Sequence, residues 1–295
     1  MHPDEIAIDE ALVSQLLAAQ FPDFAGLPLR RTGAHGTDHV IYRLGEDLAV
    51  RLPRHPGAAG QAEKEQAWLP RLAAYLPAPI PAPVEAGAAC ELFPFGWSIC
   101  RWLEGQTAAE AAIEDEIALA TDLGRFVAAM RGVPAADAPG PGPHNAWRGV
   151  GLRARNKVTQ AAIDELGEHI DARAARACWD AALEAEPWGG EPCWLHGDLM
   201  PSNLLVSEGR LAAVLDFGCM GAGDPACDLI PGWNLFSGVG RARFQDAAEV
   251  DAATWARGRG WALSVALVQL PYYAQSNRII AGNAQRTIDA VLGEA

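Results

Sequence analysis

The chain has 295 residues, 50% of them hydrophobic and 20% charged, with a formal net charge of −14. That is enough chain for one large or two modest cores, with a composition ordinary for a globular protein. The acidity argues against a nucleic-acid surface, which needs Lys and Arg against phosphate; it is compatible with a cationic ligand, but solubility accounts for it as well and total charge locates no pocket. No apolar run reaches membrane-spanning length, and the start, MHPDEIAIDE, lacks a signal-peptide core. Six cysteines (90, 100, 178, 193, 219 and 227) form no Cys-x-x-Cys pair and no zinc spacing. A cytoplasmic protein with reduced thiols, without membrane or nucleic-acid partners, is the expectation.

Taken in order, residues 4–20 carry Ile8, Leu12, Leu16 and Leu17 at helical spacing. Residues 29–32, 40–44 and 48–52 read as short strands, the last two joined through the turn Gly45-Glu46-Asp47. A helix is expected over 62–75, ended by Pro77, followed by the extended, Pro-rich run LPAPIPAPV. Two strands follow near 83–87 and 97–102. From Thr107 the pattern turns helical, with Ile117, Ala120, Leu123, Gly124, Val127 and Met130 on one face. The run PAADAPGPGP (134–143) is a loop, read as a rim within the second lobe. Further helices are expected over 152–166, 171–186, 252–274 and 276–292, with another carrying Trp233, Asn234 and Phe236. Trp255, Trp261, Tyr272 and Tyr273 are read as core, with the lining of an acceptor pocket the alternative.

The chemistry concentrates in 194–228, WLHGDLMPSNLLVSEGRLAAVLDFGCMGAGDPACDL. Residues 193–195, 204–206 and 211–215 are apolar enough for buried strands, and Ser207-Glu208-Gly209-Arg210 closes the last two as a hairpin. The polar residues then stand on loops at strand ends. Their types and order suit phosphoryl transfer. Asp198 can orient a hydroxyl and accept its proton, while Asn203 and Asp216 offer hard oxygen donors for magnesium. Asp224 before Pro225 is a helix N-cap pattern.

HGDLMPSN, LDFG and GDPACDL resemble the aminoglycoside phosphotransferase family of the protein-kinase-like superfold. The resemblance implies a bilobal α+β fold: a small antiparallel-sheet lobe over 1–103 and a larger, mainly helical lobe over 104–295. It implies that Asp198 is the catalytic base and that Asn203 and Asp216 bind magnesium. His196, Asp224 and Asp228 become supports of the loops, Asp228 through the catalytic-loop backbone. Gly36 and Thr37, in the loop 33–39, would cover the phosphates. The family's strand lysine is missing. The chain has two lysines, Lys64 and Lys157, and neither lies on the third strand, where Arg51 stands instead. Arg51 would contact phosphate, steadied by Glu65, with Glu63 the alternative. The macrolide branch also offers an arginine in that strand motif. Leu103-Glu104-Gly105 resembles the family hinge, so the Arg101 carbonyl and the Leu103 amide would meet the base, with Cys100 lining its pocket.

The implied reaction moves the γ-phosphoryl group of ATP or GTP to a small-molecule hydroxyl, first of all on an aminoglycoside or another antibiotic. A metabolic acceptor (choline-, homoserine- or sugar-amine-like) and a noncatalytic nucleotide-binding module stay open. Gly197, where protein kinases carry Arg, and the short interval from Asp216 to Asp224 argue against a protein kinase.

Overall fold

The computed structural model describes residues 5–33 and 38–293. Gly36 and Thr37 lie outside the described residues. The chain divides into two compact units, one of residues 1–105 with 213–218, the other of 106–212 with 219–295. The first break falls two residues after the boundary read from the sequence. The short segment around Asp216 groups with the first unit because its backbone is tied there, the Val214 amide donating to the Pro79 carbonyl at 3.0 Å.

In the first unit, helix α1 spans Glu10–Gln20, not the whole of 4–20. Asp9 sets its start: in extended conformation, it accepts a hydrogen bond from the Leu12 amide at 2.8 Å. Strands β1 (Leu29–Arg31), β2 (His39–Leu44) and β3 (Leu48–Pro53) follow, then helix α2 (Pro56–Leu72), β4 (Pro83–Gly87) and β5 (Trp97–Arg101). They form an antiparallel sheet in the order β1-β2-β3-β5-β4. β3 is its centre and all six of its residues are buried, which explains why LAVRLP is apolar except at Arg51. Val13, Leu16 and Leu17 of α1 join Tyr42, Leu44, Val50, Leu52, Trp97 and Ile99 in one core. Gly87 is a packing requirement, since a Cβ there would stand 2.1 Å from the Trp97 ring. Helix α2 begins at Pro56, six residues before the apolar pattern, because proline suits a first turn.

The second unit opens with a two-residue strand, β6 (Gln106–Thr107), where the sequence pattern read helix. Then come α3 (Glu116–Arg131), a 3₁₀ turn at Leu152–Arg155 leading into α4 (Asn156–Leu166), and α5 (Ala172–Glu184), capped by Asp171. β7 (Cys193–Leu195), β8 (Leu204–Ser207), β9 (Arg210–Val214) and β10 (Gly221–Gly223) carry the loops of interest. β6, β8 and β9 form one small sheet, and β7 pairs antiparallel with β10, a partner the sequence did not suggest. Four helices close the chain: α6 (Pro231–Asn234), α7 (Gly238–Ala248), α8 (Ala252–Tyr273) and α9 (Arg278–Leu292). α7 had no clear apolar stripe and went unread; Phe236 lies beyond the end of α6. α3 packs on α7 and α8 on α9. Trp261 is fully buried, but Tyr272 is 64% exposed, so the aromatic run of α8 leaves the core at its C-terminal end. No helix among the described residues is long and apolar enough to cross a membrane, and the described cysteines are free thiols.

Candidate active site

The first unit carries the cationic and carboxylate groups that the sequence pointed to, Arg51, Glu65 and Asp216. Arg51 is buried on β3, and its Nη1 donates to Glu65 Oε2 of α2 at 2.6 Å. Glu63 is exposed, which settles the choice of partner. Burial works against the Arg51 charge, but Glu65, Cys100 and Asp216 around it hold its pKa above the ordinary value. The guanidinium is therefore a fixed positive charge, with a second arm able to meet an oxyanion. His39 at the start of β2 is pushed down to about 4, first by burial and then by Arg51, so it is neutral at pH 7. Cys100 Sγ donates to the Ala49 carbonyl at 3.8 Å, and burial pushes its thiol up to about 11. Arg101 pairs with Leu48 at the end of β5, and the chain continues to Leu103 as half-buried, non-helical backbone.

Asp216 follows β9 with φ +58°, a left-handed conformation uncommon for a side-chain-bearing residue. Its Oδ1 accepts from the Gly218 amide at 3.2 Å. The Gly218 carbonyl in turn accepts from Lys64 Nζ at 2.6 Å. Gln61 donates to Asp38 Oδ2 at 2.9 Å, and its buried Oε1, close against Gly218, has no hydrogen-bond partner among the described residues. Gln61, Lys64 and Glu65 are spaced i, i+3, i+4 and share a face of α2. One helical face thus braces Arg51, the Asp216 loop and Asp38. Lys64 lies off the third strand, and its place beside Glu65 is the signal the sequence carries for this role.

The second unit carries the His-Gly-Asp loop. It leaves β7, whose ladder with β10 anchors it. Asp228 grips the turn with both oxygens, accepting from the His196 amide at 2.6 Å and the Gly197 amide at 2.7 Å. Burial raises the Asp228 pKa, opposed by His196, by these two amides and by Arg148. His196 is fully buried, and its Nδ1 accepts from the Asp198 amide at 3.1 Å. That nitrogen faces the backbone of its own loop. Asp224 caps the 3₁₀ turn Pro225–Leu229 through the Ala226 amide and holds Arg257 with both oxygens, at 2.9 and 3.2 Å.

The Asp198 carboxylate is held from two sides. Asn203 Nδ2 donates to Asp198 Oδ2 at 3.1 Å and to the Asp198 carbonyl at 2.9 Å. Arg148 Nη2 lies 3.6 Å from Asp198 Oδ1. Arg148 comes from the loop before α4, 49 residues ahead of Gly197, and no local spacing marked it.

A magnesium ion fits these residue types. Asn203 commits its amide nitrogen to Asp198, so the oxygen is the end left for a cation. Asp216 commits one oxygen to a backbone amide. Among the described residues no three His, Cys, Asp or Glu side chains cluster as a metal cage. Magnesium needs none, since it takes one or two protein oxygens and completes its shell with phosphate and water.

Residues 31–261 match the phosphotransferase enzyme family, APH. The chain belongs to that family. It is 24% identical to an aminoglycoside 3′-phosphotransferase of Escherichia coli over 144 residues, which are 47% of this chain and 52% of the relative. The chain thus spans about half the length of that curated relative. The GDP complex of aminoglycoside 2′-phosphotransferase-IIIa superposes with a TM-score of 0.74, at 18% identity, over 98% of this chain and all of that one. Macrolide 2′-phosphotransferase MphH from Brachybacterium faecium superposes with a TM-score of 0.61, at 23% identity, over 96% and 98%. The phosphotransferase fold, with its antiparallel N-terminal sheet and helical remainder, is therefore the fold of this chain.

Proposed function

We propose that this phosphotransferase moves the γ-phosphoryl group of ATP or GTP to a hydroxyl of a small molecule, with aminoglycosides and macrolides the first acceptors to test. The observation that carries the reading is the Asp198 carboxylate, fixed by Asn203 on one side and Arg148 on the other. A base held this way can receive a hydroxyl proton in a set direction. The family match, and the antibiotic kinases among the relatives, support the acceptor class; the GDP of one relative supports a nucleotide donor.

In this reading Asp198 orients the acceptor hydroxyl and takes its proton. Asn203 and Asp216 supply oxygen ligands to magnesium, which neutralises charge on the phosphates when bound. Arg51 holds phosphate with the guanidinium arm that Glu65 does not occupy. The backbone at Arg101 and Leu103, beside Cys100, meets the base. Asp228, Asp224 and His196 keep the loops in shape. Catalysis then rests on positioning and on fixed charge.

A second reading is a metabolic acceptor, choline-, homoserine- or sugar-amine-like. One experiment separates these. The purified protein is incubated with magnesium and ATP or GTP against pooled aminoglycosides, macrolides, choline-like alcohols and hydroxy amino acids. Mass spectrometry then looks for one added phosphoryl group. A hit names the acceptor class and donor. Nucleotide binding without any phosphorylated product sinks the antibiotic reading, and absence of nucleotide binding sinks the kinase reading altogether.

A further inference from the structure

We infer that Arg148 is a positioning residue for Asp198, reaching into the catalytic loop from a distant segment to fill the space beside Gly197. The inference rests on the reading of Asp198 as the base. Three features of the second unit carry it.

The first is the double contact. Arg148 Nε donates to the Gly197 carbonyl at 2.7 Å, and its Nη2 faces Asp198 Oδ1 at 3.6 Å. One rigid guanidinium thus ties the backbone of the loop to the carboxylate that leaves it. Asn203 does the same from the opposite edge, through the Asp198 carbonyl and Oδ2. With both in place the carboxylate has no free rotation.

The second is the fit of Gly197. It has φ +83°, and a Cβ there would stand 2.5 Å from the Cys219 carbonyl and 3.1 Å from Arg148 Cβ and Cγ. The loop keeps a glycine where the Arg148 stem passes. The positive φ and the Cys219 carbonyl require the glycine, and the Arg148 stem packs against the space it leaves.

The third is what it costs to bring Arg148 there. Ala146 and Trp147, just before it, both have positive φ, +50° and +58°. Two consecutive non-glycine residues in that region store strain. Asn145, itself buried, holds the turn by donating to the Arg148 carbonyl at 3.3 Å and accepting from the Gly142 amide at 2.9 Å. Gly149 follows at φ +83° against Leu195 and Gly223, and its carbonyl accepts from the Asp224 amide at 2.8 Å. The segment is pinned on both sides of an arginine aimed at Asp198, and Arg148 itself is almost fully buried.

The test compares Arg148→Met, Arg148→Lys and Arg148→Ala with the wild type and Asp198→Ala. Each is assayed with magnesium and GTP or ATP on the acceptor found by the mass-shift screen. Arg148→Met is expected to lower kcat about 100-fold, the scale of a misplaced catalytic group, with the nucleotide KM nearly unchanged. Arg148→Lys should recover part of that loss, and millimolar guanidinium should partly restore Arg148→Ala. Wild-type kcat in Arg148→Met, beside an inactive Asp198→Ala, overturns the inference and leaves the base intact. Loss without any rescue by lysine or guanidinium, accompanied by a fallen Tm, also overturns it, in favour of a scaffold role. Wild-type kcat in Asp198→Ala overturns the reading of the base instead. Hydrogen exchange serves where no acceptor turns over. The His196–Met200 amides should exchange faster in Arg148→Met at unchanged Tm, and unchanged exchange overturns the clamp.

Discussion

Arg51 Nη1 and Glu65 Oε2 stand 2.6 Å apart, with only 9% and 3% of their side chains exposed, joining the central strand to the helix beside it. Glu65 Oε1 has no hydrogen-bond partner among the described residues. A buried pair of this kind is strongly asymmetric to mutation: removing one partner strands the other charge. Arg51→Met should therefore destabilise the protein by about 3–5 kcal/mol. Arg51→Met combined with Glu65→Leu should lose much less. Urea unfolding of the two single variants and the double variant measures the coupling, and additive losses would show that the two side chains do not stabilise one another.

Lys64 acts on the same helix face through a different loop. Its Nζ donates to the Gly218 carbonyl at 2.6 Å, two residues beyond Asp216. Within the loop, the Gly218 amide donates a longer bond to Asp216, at 3.2 Å. Lys64→Met should weaken magnesium–nucleotide binding roughly tenfold, the scale of one charged hydrogen bond. Affinity without magnesium should change far less. Isothermal calorimetry with GTP or ATP, with and without magnesium, reads both. Equal losses in the two conditions would mean that Lys64 contacts the nucleotide rather than ordering Asp216.

Asp198 and Asp216 should fail in opposite ways. Asp198→Ala is expected to cut kcat by roughly 10²–10⁴-fold, as for loss of a general base, with nucleotide affinity kept. Asp216→Ala should abolish the magnesium-dependent part of nucleotide binding. Turnover assays and calorimetry on the two variants separate these roles. An Asp198→Ala protein that binds nucleotide poorly would move Asp198 out of the base role and into the donor site.

How much of this was legible in the sequence depends on how local each feature is. His196, Asp198, Asn203 and Asp216 lie within a short stretch whose strands have strong apolar patterns, so the loops that hold them could be placed. The centre of the sheet was legible for the same reason: LAVRLP is apolar on both faces, which leaves Arg51 conspicuous. Helix starts were misplaced where a cap outranked periodicity, as with Asp9 ahead of α1 and Pro56 ahead of α2. The β7–β10 pairing joins a Cys-Trp-Leu run to Gly-Ala-Gly, and three small residues carry no strand signal. Arg148 was illegible for a deeper reason. Its partner lies 49 residues away, and its approach uses two left-handed residues, Ala146 and Trp147, that composition does not mark.

The β8–β9 hairpin offers a prediction of pH dependence. Arg210, at the start of β9, forks onto Asp122 of α3, Nε to Oδ2 at 2.6 Å and Nη2 to Oδ1 at 2.7 Å. The Arg210 hydrogen bonds, helped by the Leu211 amide, hold the Asp122 carboxyl below its ordinary range despite partial burial. A carboxyl depressed in the folded state binds its proton more readily when the chain is unfolded. Its contribution is therefore complete above the unfolded value, about 4, and lost as pH falls through the lower folded value. Arg210 is largely exposed, so the contribution is the small one of a solvent-screened pair. Asp122→Asn should lower stability at pH 6–7 by that small amount, and the difference from wild type should shrink as pH drops below about 4. Urea midpoints across this range test it, with added salt expected to narrow the gap at neutral pH. A gap that widens toward low pH would contradict the sign and place the stabilising form of Asp122 in its protonated state.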